Sequence, residues 1–281
     1  MVPFFRRLFN LSGRFFKYGV LLFVILTSLS PFVWVFLSTF KTNKEILDSA
    51  LSWPSHFSFV AYANALARAR FPLYFFNSMF VSGLSTLGAV SIFGMAAYVL
   101  ARYEFRGRDT IYAILISSLL LSLIPMQQPI AIIIRMLHLY DTRWALILVY
   151  AAKGLPIVIF IMWSFFKSLP KEIEEAAYLD GANFWQTYTR VMLPMSKPAV
   201  ASAAVLIFLN SWNEFLFALL LTQSESKRTL SYALRFFVDM FAYDYPTLFA
   251  AMFMTILPSI LIYIVLQEQI HKSLVGGAVK G

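Results

Sequence analysis

Long apolar runs without charge recur along this chain and leave it few ways to fold. Residues 18–40, 71–101, 111–134 and 245–267 contain no Asp, Glu, Lys or Arg. Residues 145–166 contain only Lys153, and 199–224 only Glu214. Each run exceeds the ~20 residues a helix needs to cross ~30 Å of hydrocarbon. Backbone groups in lipid must be paired within their own segment, so the runs are expected to be helical. The reading is an all-α integral membrane protein with one transmembrane domain over 1–281. Its spans are expected at about 17–40, 72–101, 111–135, 144–166, 199–222 and 245–268. Arg6, Arg7, Arg14 and Lys17 precede the first run, as in a signal peptide. That run is too long for a signal h-region and lacks a small-residue cleavage site, so it reads as a retained span.

Composition agrees. The chain is 60% hydrophobic and 13% charged, against about 25% charged in soluble domains. It has no cysteine, which excludes disulfides and thiolate metal sites. The net charge of +9 belongs to the flanks of membrane spans rather than to a nucleic-acid-binding face. Leaving out Lys153, thirteen Lys and Arg fall on the side shared by the two ends and the second and fourth connections, and nine on the other. That excess predicts both termini in the cytoplasm of a multi-pass bacterial or archaeal membrane protein. Pro31, Pro125, Pro129, Gly154 with Pro156, and Pro258 are expected to interrupt or kink spans.

The connection 167–198 is too long and too patterned for a plain loop. Pro170 suits a first helical turn, and Glu172, Glu174 and Glu175 complement a helix N-terminus. Ile173, Ala176 and Ala177 can share one face. Gly181 suits a left-handed stop. Asn183 can cap a second short helix holding Phe184, Trp185 and Tyr188, and Pro194 ends it or turns the chain back. Anionic lipid would repel the three acids, so this helix-turn-helix reads as a docking element for a soluble partner.

Glu175-Ala176-Ala177, Gly181 four residues on, and Val191-Met192-Leu193-Pro194 after nine more resemble the EAA motif of permease subunits of binding-protein-dependent ABC importers. Val191 stands where the motif has Ile. "SWNEFLFALLLT" at 211–222 and "GGAVKG" at 276–281 extend the resemblance to carbohydrate permeases of the maltose-transporter, MalG-like type. The resemblance implies the type I ABC importer permease fold. The implied partners are a second homologous permease, an ATPase dimer, an extracytoplasmic solute-binding protein and membrane lipid. It places Glu174, Glu175, Ala176, Ala177, Asp180, Gly181 and Ala182 at the ATPase contact, with Leu193 and Pro194 joining the loop to the fifth span. Gly276, Gly277 and Lys280 would form a tail facing the ATPase. No cofactor is expected on this chain; ATP and Mg would sit on the partner. The chain has no G-x-x-x-x-G-K-[ST] phosphate loop and no nucleophile–base or metal-ligand cluster, so it is not expected to be an enzyme.

Trp212, Asn213 and Glu214 sit in a span where polar groups are costly, as does Lys153. They are candidate substrate-pathway residues. The alternatives are bonds to the partner permease and, for Lys153, snorkelling to the interface. A secondary transporter or channel working alone would show inverted repeats and paired intramembrane ions. A membrane-embedded enzyme would show clustered catalytic groups. The solute cannot be read from the residues; a sugar or related solute is what the resemblance implies.

Overall fold

The computed structural model describes the backbone of residues 2–68, 70–240 and 242–278; the side chains of 2–15, 68, 236, 239, 266 and 268–278 lie outside the description. In chain order the helices are α1 (Val2–Ser38), α2 (Asn43–Asp48), α3 (Val60–Arg68), α4 (Phe71–Arg102), α5 (Arg108–Ser117), α6 (Gln127–Met136) and α7 (Arg143–Ser168). There follow α8 (Glu172–Leu179), α9 (Phe184–Gln186), a π-helical segment (Thr187–Met192), α10 (Leu193–Met195) and α11 (Lys197–Trp212). The last three are α12 (Leu216–Leu221), α13 (Leu230–Met240) and α14 (Tyr245–Ala278). Among the described residues four helices are long and apolar enough to cross a membrane. They cover Phe16–Ser38, Phe71–Arg102, Arg143–Ser168 and Tyr245–Val265.

The chain divides into two units. The first comprises residues 1–69 and 237–254. The most apolar part of α1 has no buried residue, and burial begins at Ser38, as expected of a helix solvated by hydrocarbon. Beyond it the chain is tied down locally. Trp34 Nε1 and Lys41 Nζ both donate to the Ala50 carbonyl, at 2.7 and 2.8 Å. Thr42 and Glu45 form a reciprocal cap on α2. Hydrogen bonds from Ser55 and Thr42 hold the Glu45 carboxyl down to about 2.

The second unit comprises residues 70–236 and 255–281. Its core is the packing of α4 on α7 and α11. One face of α4 carries Ser78, Ser82, Ser85, Ala89, Ala97 and Ala101, all buried. Small residues at this spacing let helix backbones approach where no hydrophobic force drives membrane helices together. Val158, Ile159, Met162 and Phe166 of α7 fill the space opposite, with Ala203 and Ile207 of α11.

The helices depart from expectation at several points. The third apolar run is not one helix: α5 ends in a single 3-10 turn, Ser118–Leu120, and α6 restarts at Gln127. Pro125 lies in the break, whereas Pro129 sits in the first turn of α6, where its missing N–H costs nothing. The fifth run is also two helices, α11 and α12. The fourth, by contrast, runs unbroken through Gly154 and Pro156. Gly154 is a packing residue: a Cβ there would meet Ile207 Cδ1 at 2.7 Å and Ala89 Cβ at 3.3 Å. Pro31 and Pro258 likewise lie inside continuous helices.

Candidate functional site

The connection 167–198 folds into two short helices, as its turn residues predict. α8 begins at Glu172, two residues later than Pro170 suggests. Leu169 is extended, as a residue before proline tends to be. Gly181 adopts φ +83° with no atom within 4 Å of where a Cβ would be, so the backbone angle alone favours glycine there. Asn183 Oδ1 accepts from the Gln186 N–H at 3.0 Å and Gln186 Oε1 from the Asn183 N–H at 2.9 Å, a reciprocal cap on α9. Pro194 does not end the helical stretch. Helix continues through the π-helical segment and α10 to Met195, and the chain then bends by 79° into α11.

The acids of α8 are not equivalent. Glu175, Ala176 and Asp180 are exposed, Ala182 and Leu193 half-buried, and Pro194 exposed. Ala177 is buried against the body. Leu179 and Trp185 are 89% and 59% exposed, so acids and apolar side chains together form an outward face. Glu174, expected on that face, points inward instead. Its Oε1 accepts from the Tyr98 hydroxyl at 2.6 Å. Its Oε2 lies 2.9 Å from Arg102 Nε, off the N–H direction, so this contact is an ion pair rather than a directed hydrogen bond. The second guanidinium arm of Arg102 donates to the carbonyls of Leu169 and Pro170 at 3.0 and 3.3 Å. The Tyr103 and Tyr178 hydroxyls share a hydrogen bond of 2.6 Å; burial and this bond push the Tyr103 hydroxyl up to about 12. Around Tyr98 lie Phe166, Phe184 and Tyr188, with ring centroids 5.1–5.7 Å away. Arg102 and Tyr98 are the residues sequence reasoning missed. The available signal was a base closing an apolar run that also carries a tyrosine one turn earlier.

The candidate pathway residues separate. Trp212 is buried, its Nε1 donating to the Thr255 carbonyl at 3.2 Å and its ring stacked on Phe208. The Asn213 side chain turns back to the Leu209 carbonyl, 3.0 Å away. Glu214 sits in the break between α11 and α12. Its Oε2 accepts from the Tyr150 hydroxyl at 2.9 Å and from the Phe217 and Ala218 N–H groups at 3.0 and 3.2 Å. Its Oε1 lies 3.7 Å from Lys153 Nζ. The two intramembrane charges therefore answer each other. Lys153, Asn210, Asn213 and Glu214 edge an open cavity of about 450 Å³. Lys153 and Asn210 also border an apolar one of about 530 Å³ between α6, α7 and α11. Gly276 and Gly277 lie in the last turns of α14, and Lys280 lies outside the described residues. Among the described residues no group of three or more His, Asp or Glu is placed to hold a metal ion.

Apolar helices long enough to cross a bilayer, with a structured polar knuckle between two of them, define a multi-pass membrane transport subunit. Residues 91–275 match the family described as binding-protein-dependent transport system inner membrane component, and the chain belongs to that family. It is 40% identical to the diacetylchitobiose uptake system permease protein NgcG of Streptomyces coelicolor, over 88% of this chain and 82% of that protein. It is 32% identical to the trehalose/maltose transport system permease protein MalG of Thermococcus litoralis, over 94% and 95%. The fold matches a chain of the crystal structure of a bacterial ABC transporter that imports the acidic polysaccharide alginate. There the TM-score is 0.79 and the identity 26%, over 92% of this chain and 97% of that one. The protein is thus an inner-membrane permease subunit of an ABC importer, not its ATPase.

Proposed function

We propose that this subunit moves a saccharide or related solute inward and takes its driving force at the outward face of α8 and α9. Glu175, Ala176, Asp180, Gly181 and Leu179 would seat in a groove of a cytoplasmic ATPase dimer that holds ATP and Mg. Closure of that dimer on ATP would press the knuckle toward its counterpart on a second, homologous permease, turning the pathway outward to receive solute from an extracytoplasmic binding protein. The observation that carries this reading is the pairing of a rigid, capped helix-turn-helix with an exposed acidic and apolar face. Leu179, Trp185 and Tyr178, 89%, 59% and 44% exposed, give this short element the apolar surface that a partner would cover.

The saccharide class rests on the relatives named above. Glu214 and Lys153 leave no net charge in their cavity, which favours an uncharged solute there. The test is capture of the ATPase. Leu179→Asp should abolish co-purification of the ATPase with the tagged permease pair while leaving the pair itself assembled. Undiminished co-purification would refute the docking face.

A further inference from the structure

The chain order suggests that force on the knuckle passes along the covalent path, through Leu193 and Pro194 into α11. The geometry points to a different route. That path first crosses six π-helical residues, Thr187–Met192, and then a 79° bend at Ser196. A π-helical segment interrupts the regular i→i+4 ladder and is frequent at functional sites. The non-covalent path is direct. Arg102 closes the last turn of α4 with its side chain 5% exposed, and Glu174, with its side chain 10% exposed, answers it at 2.9 Å. Tyr98, one turn earlier on α4, holds the other carboxylate oxygen. Arg102 also grips the two carbonyls that lead into α8, and Tyr103 holds Tyr178 near the helix's far end. Breaking a buried ion pair strands a charge, so these groups are held together.

We infer that Arg102, Glu174 and Tyr98 form a clasp that makes α8 a rigid extension of α4. Displacement of the knuckle then enters the membrane through α4 and spreads to α7 and α11 by their packing on it, rather than along the chain through Leu193 and Pro194. The inference rests on the docking reading above. It makes the three residues positioning residues for coupling, none of which touches solute or nucleotide.

The chain has no cysteine, so introduced pairs can be spin-labelled cleanly in the assembled importer in lipid nanodiscs. The pair Glu104→Cys with Glu172→Cys spans the clasp, and both positions are exposed. On adding ATP and orthovanadate, this distance should hold. With Glu174→Gln it should broaden and move with nucleotide, and the charge-exchanged Arg102→Glu/Glu174→Arg variant should restore a narrow peak. A merely stabilising ion pair would change the melting temperature of Glu174→Gln without making the distance respond to nucleotide. That outcome overturns the clasp, as does a wild-type distance that moves with nucleotide. Loss of the ATPase from the labelled wild type would instead sink the docking reading, and the clasp with it.

Discussion

Gly181 and Glu214 carry the most consequence at the scale of the single residue, for opposite reasons. Nothing surrounds Gly181, yet its φ of +83° excludes most side chains. A left-handed L-residue costs about 1–2 kcal/mol, more when β-branched. Gly181→Val should therefore insert normally but lose solute uptake, whereas Gly181→Asn, which tolerates that region, should keep most of it. Proteoliposome uptake set against protease protection of the spans separates the two effects. Glu214 is the reverse, a residue hemmed in by partners. Glu214→Ala strands Lys153 and the amides of Phe217 and Ala218, and should cost about 3–5 kcal/mol. The double variant Lys153→Met/Glu214→Gln should cost less than the sum of its single changes, because the pair is lost together. Melting temperatures of the four purified proteins complete the cycle.

At the scale of elements, short-range chemistry predicts well and long-range partnership does not. The cap at Asn183, the stop at Gly181 and the acids opening α8 were legible because each acts within four residues. Asn183→Ala should weaken α9 by about 1 kcal/mol, visible as faster amide exchange at Gln186 without change in α4. The inward turn of Glu174 was illegible. Its partner Arg102 is 72 positions away, and three neighbouring glutamates look alike until the helix has a body to face. For the same reason Lys153 and Glu214 read as separate anomalies although they are one pair. The broken third and fifth runs were hidden because hydropathy sees only that a run is apolar, and a backbone break beside Glu214 needs tertiary partners to satisfy it.

Another such partnership joins the Asp141 carboxylate to the 223–224 turn. Burial opposes its charge, but the Ser224 hydroxyl and the amides of Gln223 and Ser224 hold it below its ordinary value of 3.8. A lowered folded value means the stabilisation is complete above pH ~4 and fades as pH falls through the folded value. The protection of the Ser224 amide, taken as its exchange rate relative to the intrinsic rate at each pH, should therefore fall below pH ~4, and Asp141→Asn should remove that acid step.

For the whole molecule the decisive quantity is orientation. The excess of Lys and Arg on the side of the 167–198 connection predicts that knuckle in the cytoplasm and the 41–70 segment outside. A cysteine at Glu175 should react with a membrane-impermeant maleimide only in inverted vesicles. One at Trp53, 73% exposed, should react only in intact cells. The opposite pattern would remove the ATPase from reach of the knuckle.

The π-helical stretch at Thr187–Met192 also bears on how this protein tolerates genetic change. It amounts to an ordinary helix carrying one amino acid too many. Losing a single codon there would let the strand of helix close up with both flanks still in phase, whereas the same loss inside α8 would swing its outward face away. Shortened forms of the gene should therefore survive here as folded but sluggish pumps.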